Sequence, residues 1–222
     1  MAIWCYKLKQ MEKCSIKYKL KLFFIFCPFY LFFYILPNFH PKWPPLLLPL
    51  LPMEYEIPFL PWTFLLYISD YILVFAVILM HQDKEIFQSF ARMAFSVLVF
   101  CGLFFIFFPT RYPRPEYPGV DSFLVGLAMT VVGNGDTPNN CFPSLHVAIG
   151  GISVWSLRFR GPRVFGLFTF WALLIFTSTL TTKQHYLIDI IGGFAVVLVV
   201  VFLEWALFEK RFLHDRVTRF FA

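Results

Sequence analysis

The chain has 222 residues, of which 59% are hydrophobic, 21% aromatic and only 14% charged, with a mean hydropathy of +0.70. Soluble domains carry about 25% charged residues, so this composition excludes an ordinary soluble enzyme or binding module. The formal net charge of +6 would suit nucleic acid, but the cations sort by membrane side rather than along a groove, and no nucleic-acid partner is expected.

A helix needs about 20 mostly apolar residues to cross the hydrocarbon core. Six segments are read as spans: 20–36, 59–80, 93–109, 143–157, 164–181 and 185–207. The first and fourth are short, a mismatch that aromatic ends and local bilayer thinning absorb. Segment 120–132, VDSFLVGLAMTVV, is too short to cross and is read as an interfacial or re-entrant helix. The expected fold is an all-α integral membrane protein, a six-helix bundle over 22–207 between a basic N-terminus, 1–21, and a basic C-terminal tail, 208–222.

With the N-terminus in the cytoplasm, fifteen of the nineteen Lys and Arg face inward: six Lys before residue 22, then Lys84, Arg92, Arg158, Arg160, Arg163, Lys210, Arg211, Arg216 and Arg219. Only Lys42, Arg111, Arg114 and Lys183 face outward. The positive-inside rule therefore puts both termini in the cytoplasm, where the basic ends meet anionic lipid at about 1 kcal/mol per cation. A Lys-rich start before an apolar stretch also has the outline of a signal peptide, but the following LPNFHPKWPP offers no small-residue cleavage site, and an uncleaved first span is expected.

Between Pro37 and Pro61 lie eight prolines in 25 residues. Proline lacks an amide donor, so this stretch is read as an outer surface loop, with Trp43 and Trp62 as interface anchors. A spacer without chemistry is the preferred reading, and a lipid-entry lip is the alternative. Asp70 falls mid-span and is assigned to packing or hydrogen bonding. The five Cys show neither CxxC nor metal-ligand spacing, so neither a disulfide framework nor a metal or other cofactor is expected.

Three polar clusters fall on the outer side: PTRYPRP at 109–115, FPSLH at 142–146 and TTKQHYLID at 181–189. The 38 residues between His146 and His185 suffice for one span down and one back, which returns both histidines to one face. Arg111 and Arg114 join them without a crossing. His185 and Asp189 are four apart at a helix start, on one face and within hydrogen-bond reach. An aspartate on one imidazole nitrogen leaves the other as a nucleophile or base. Pro143 suits a first helical turn, whose free amides, with the Ser144 hydroxyl, would hold an oxyanion. Arg111, Arg114 and Lys183 would neutralise its other oxygens, and His146 would protonate a leaving oxygen. Asn134, Asp136 and Asn139 are read as turn residues, and His40, His81 and His214 as loop or interface residues.

These residues resemble the type 2 phosphatidic acid phosphatase (lipid phosphate phosphatase) superfamily, whose signature is Lys-x6-Arg-Pro, then Pro-Ser-Gly-His, then Ser-Arg-x5-His-x3-Asp. The likeness covers about residues 55 to 207 and includes span count and sidedness. It implies that His185 is a phosphorylated nucleophile, Asp189 its orienter and His146 the general acid, with Ser144 and Arg114 on the phosphate. Three positions depart from the signature: Phe107 stands where it has lysine, Leu145 where it has glycine and Thr179 where it has arginine. The reduced cation set is similar to the phosphotransferase branch, the sphingomyelin and inositol-phosphorylceramide synthases, which GNGD at 133–136 and HYLID at 185–189 loosely echo.

The expected activity is thus metal-independent hydrolysis of a terminal phosphate or diphosphate from a lipid, through a phosphohistidine at the outer or lumenal face. A lipid phosphotransferase on the same residues is the first alternative, and a catalytically silent lipid-binding protein the second. The expected partners are a lipid phosphate and the bilayer; nothing in the sequence speaks to oligomeric state.

Overall fold

The computed structural model describes residues 12–117 and 119–209. The cations Lys7, Lys9, Lys210, Arg211, Arg216 and Arg219, together with His214, lie outside the described residues. Helix α1 covers Ile16–Phe39. It starts at Ser15, whose hydroxyl accepts the Tyr18 amide at 3.2 Å, the usual N-cap arrangement. Its turn Leu31–Ile35 widens to π-type and carries the buried Tyr34, a distortion that helices often show at functional sites.

The short helix α2, Pro52–Tyr55, follows within the proline-rich loop. Then come α3, Phe64–Met80, entered through a tight turn at Pro61–Thr63, and α4, Lys84–Phe107. Helix α5 is Phe123–Gly135, α6 Leu145–Ser156, α7 Pro162–Thr181 and α8 Leu187–Glu204. Two residue pairs form a parallel ribbon, β1 at Leu46–Leu47 against β2 at Thr110–Arg111.

Five of these helices are long and apolar enough to cross a membrane: Ile16–Phe39, Pro61–Met80, Lys84–Phe107, Pro162–Thr181 and Leu187–Phe208. The fourth expected span is instead α6, a helix of only 12 residues. At 1.5 Å per residue it is about 18 Å long, short of the roughly 30 Å hydrocarbon core. The shortfall has a local cause, because residues 139–144 are non-helical and end in Ser144, the N-cap of α6. The six expected spans are therefore five long helices and one short one. Helix α6 packs against α3, α4, α7 and α8, and Val147, Ala148, Ile152 and Ser153 on it are wholly or almost wholly buried.

The third span also begins earlier than 93. Lys84, Gln88 and Arg92 lower the local hydropathy, but each has a partner: Lys84 pairs with Glu12 at 2.8 Å, Gln88 donates to Tyr18 at 2.7 Å, and Arg92 pairs with the buried Glu204 of α8. The expected interfacial helix at 120–132 is α5. Val125, Ala128 and Val132 are its buried residues, Ala128 and Val132 clustering with Phe64 and Tyr67, while Phe123 and Leu124 are exposed.

At the end of the bundle away from the predicted site, His81 lies in the connection between α3 and α4, as expected, but is fully buried, its Nε2 2.8 Å from Ser156 Oγ. Burial, reinforced by Arg160 and Lys19, pushes its pKa down to about 4. The unfolded chain takes up this proton near pH 6.5, but the folded chain does so only near 4. Stability is therefore full above pH 6.5 and falls as pH drops toward 4, by at most about 3 kcal/mol. We expect the melting temperature of the detergent-purified protein to fall between pH 7.5 and pH 5, and to fall less in His81→Gln. Equal pH slopes for parent and variant would remove His81 as the cause.

Candidate functional site

Helix α8 begins with a capping arrangement. Tyr186 is its N-cap, and Asp189 Oδ2 accepts the Tyr186 amide at 2.9 Å. The same oxygen lies 3.1 Å from His185 Nδ1. His185 thus precedes the helix, and it meets Asp189 because the capping carboxylate reaches back, not because the two residues stack on one helical face. His185 Nδ1 also lies 3.1 Å from the Cys141 carbonyl. Carboxylates and carbonyls only accept, so this network assigns the ring proton to Nδ1 and leaves the lone pair on Nε2. The imidazole is 6% exposed, which leaves it little freedom to turn.

Helix α6 supplies His146. Its ring sits edge to face with His185 at a centroid distance of 5.7 Å, and Nδ1 lies 3.4 Å from the hydroxyl of the buried Tyr67. The amide of Ser144 donates to Asp189 O at 2.9 Å, which ties the start of α6 to α8. That approach needs Gly192 and Gly193: a Cβ on Gly193 would fall 2.8 Å from Ser144 O, and one on Gly192 2.5 Å from the Phe142 ring. The Gly-Gly pair was the sequence's signal for this contact.

Ser144 Oγ accepts the Val147 amide at 3.4 Å, so its place is that of an N-cap. Pro143 lies two residues before the helix instead of in its first turn. The helix-start amides left without intrahelical partners are those of Leu145 and His146, and both residues line the cavity described below.

Arg114 donates to Asp136 O at 2.7 Å, Thr137 O at 3.0 Å and Asp136 Oδ2 at 3.3 Å. Asp136 Oδ1 in turn accepts from Tyr34 and Asn38 of α1, both at 2.9 Å. Asp136 is therefore an ion-pair partner in the site and not a turn residue alone. Burial raises its carboxyl above the usual range, while Arg114 and the two hydrogen bonds pull it back.

His146, His185, Arg114 and Asp136 line one small cavity of about 10 Å³, with Asn140 and Gln184 on its wall. That is room for about one water, so a phosphate needs the walls to part. Two expected phosphate ligands lie elsewhere. Arg111 is held in β2 against Leu47 with its side chain exposed, and Lys183 sends its ammonium to Ile57 O at 2.6 Å. The proline-rich loop is consequently more than a spacer. Buried Glu54 accepts the Leu187 amide at 2.7 Å and caps the helix that carries the site. Asp70 is buried on α3, away from this cavity.

Cys141 Sγ, His185 and Asp189 are the one group among the described residues with three ligand atoms within 4.8 Å of one another. They do not make a good metal seat. Burial holds the thiol well above its ordinary pKa, whereas a metal takes a thiolate, and His185 Nδ1 is already hydrogen-bonded to Asp189 Oδ2.

The architecture is that of an all-helical, multi-pass membrane protein with a histidine- and aspartate-lined cavity near one end of its helices. It belongs to the PAP2 superfamily, whose family model matches residues 58–203. Membership carries phosphatase- or phosphotransferase-type activity in general. No curated protein shows a significant match to the chain.

Proposed function

We propose that the protein is a metal-independent membrane phosphatase that removes a terminal phosphate from a lipid by way of a phosphohistidine. His185 Nε2 attacks phosphorus, the bond to the lipid oxygen breaks, and His146 donates a proton to that oxygen. Water then attacks phosphorus and gives a proton to His146, the P–N bond breaks, and phosphate departs. Arg114 and the helix-start amides oppose the charge that builds on the phosphoryl oxygens. Asp189 holds the Nδ1 proton and supports the developing imidazolium. The observation that carries this reading is the double acceptor at His185 Nδ1, Asp189 Oδ2 and Cys141 O, which leaves Nε2 able to attack. Both termini are placed in the cytoplasm and the cavity toward the periplasm, exterior or lumen, on the cation distribution given above.

A second reading, transfer of the phosphoryl-bearing group to a lipid alcohol, is favoured by charge. Among the described residues Arg114 is the one Lys or Arg on the cavity wall and is already paired with Asp136, and Asp189 adds another carboxylate behind His185. A phosphodiester monoanion meets less repulsion there than a monoester dianion. The test is phosphate release by purified protein across a panel of lipid phosphates in EDTA. Release undiminished by EDTA is expected. Activity that vanishes in EDTA and returns with a divalent cation would overturn the scheme, and turnover seen only with an added lipid alcohol would select transfer.

A further inference from the structure

We propose that the side-chain oxygens of Asn140 and Gln184 form a subsite for a hydroxyl group, which aligns the O–H that attacks phosphorylated His185. The proposal rests on the phosphohistidine reading above. Both residues are almost fully buried, at 4% and 2% exposure, and both line the cavity with the two histidines. Asn140 Nδ2 donates to Tyr34 O at 2.9 Å, and Gln184 Nε2 donates to the Tyr117 hydroxyl and, at 3.3 Å, to Thr182 O. A carbonyl only accepts, so a flip would cost Asn140 its bond to Tyr34 O and Gln184 its bond to Thr182 O. Their oxygens are thereby turned away from those partners, and neither oxygen has a hydrogen-bond partner in the protein.

Buried acceptors without donors are uncommon, and two on one small cavity call for a ligand that donates. A phosphate dianion does not qualify, since its oxygens accept. Those oxygens have their own counterpart in the Arg114 Nε–H, which is buried, unpartnered and on the same wall. Donor and acceptors thus suit different groups, the Nε–H a phosphoryl oxygen and the two amide oxygens a hydroxyl. The cavity, about 10 Å³, is close to the size of one water. Asn140 is held there by a left-handed backbone, φ 58°, which asparagine tolerates better than most residues. Gln184 directly precedes the nucleophile.

In the step so oriented, the hydroxyl oxygen bonds to phosphorus as the P–Nε2 bond breaks, and its proton passes to His146. Water keeps a second O–H on the amide oxygens while the first passes to His146, whereas a lipid alcohol has a single O–H, which can point at those oxygens only until it is transferred. Gln184→Met keeps length and bulk but removes the oxygen, and Gln184→Glu restores an acceptor. With a ³²P-labelled lipid phosphate, the methionine variant is expected to form phosphohistidine within about twofold of the parent rate but to break it down about 10²-fold more slowly, so that labelled protein accumulates. The glutamate variant should recover most of the loss. Slowed breakdown in buffer alone assigns the hydroxyl to water, and slowing only when diacylglycerol vesicles are supplied assigns it to a lipid alcohol. Asn140→Gly, which keeps the left-handed backbone, is read in the same way should Gln184→Met not fold. Equal slowing of formation and breakdown, or no slowing, overturns the subsite alone. A parent enzyme that never carries phosphohistidine overturns the underlying reading with it.

Discussion

Replacement of His185 by alanine is expected to lower turnover by at least about 10⁴-fold and to abolish acid-labile labelling of the protein, as loss of a covalent nucleophile does elsewhere. The fold should survive. Asp189 Oδ2 would still accept the Tyr186 amide and Ser144 would still donate to Asp189 O, so both helix starts keep their ties. The variant loses chiefly a ring that is itself hydrogen-bonded to a carbonyl and a carboxylate. Purified His185→Ala should therefore elute as the parent does, with a modest drop in melting temperature and no phosphate release. Turnover equal to the parent's would remove His185 from the chemistry and turn the reading toward a silent lipid-binding protein.

The part of the site that could be read from the chain is the part built by local spacing. His185 and Asp189 are four residues apart, and Ser144 stands two before His146, so capping geometry alone brings chemistry to two helix starts. Sidedness also grouped Arg114 with the two histidines, and all three line one cavity, but sidedness does not say where a side chain goes. Arg111 shares that face, yet pairing of β2 with β1 leaves its side chain exposed. Lys183 has a left-handed backbone, φ 55°, and its ammonium ends on Ile57 O. What could not be read is what arrives from far along the chain. Tyr34 and Asn38 reach Asp136 across 102 and 98 residues, and Glu54 reaches Leu187 across 133. No periodicity encodes such contacts. Helix α6 shows the same limit in the fold: hydropathy counted 143–157 as a span because it cannot register that Ser144 ends the loop as a cap and leaves 12 residues for the helix.

Arg114 tests whether the ion pair with Asp136 serves the fold, the phosphate or both. Arg114→Met strands a largely covered carboxylate that keeps only the Tyr34 and Asn38 donors. Breaking a fully buried pair from one side costs about 3–5 kcal/mol, and this partly covered pair should cost less, while losing an arginine from a phosphoryl group costs about 10³–10⁵-fold in turnover. Both losses are expected together in the single variant. Asp136→Asn added to it removes the stranded charge while leaving an amide for the α1 donors to meet, so the double variant should regain most of the melting temperature. Turnover should stay low, because nothing in the double variant replaces the guanidinium at the phosphoryl oxygens. Recovery of stability without activity assigns Arg114 to the phosphate. If activity returned with stability, the arginine would only hold the 136–137 loop in place, and the charge opposing the phosphoryl oxygens would have to come from the Leu145 and His146 amides alone.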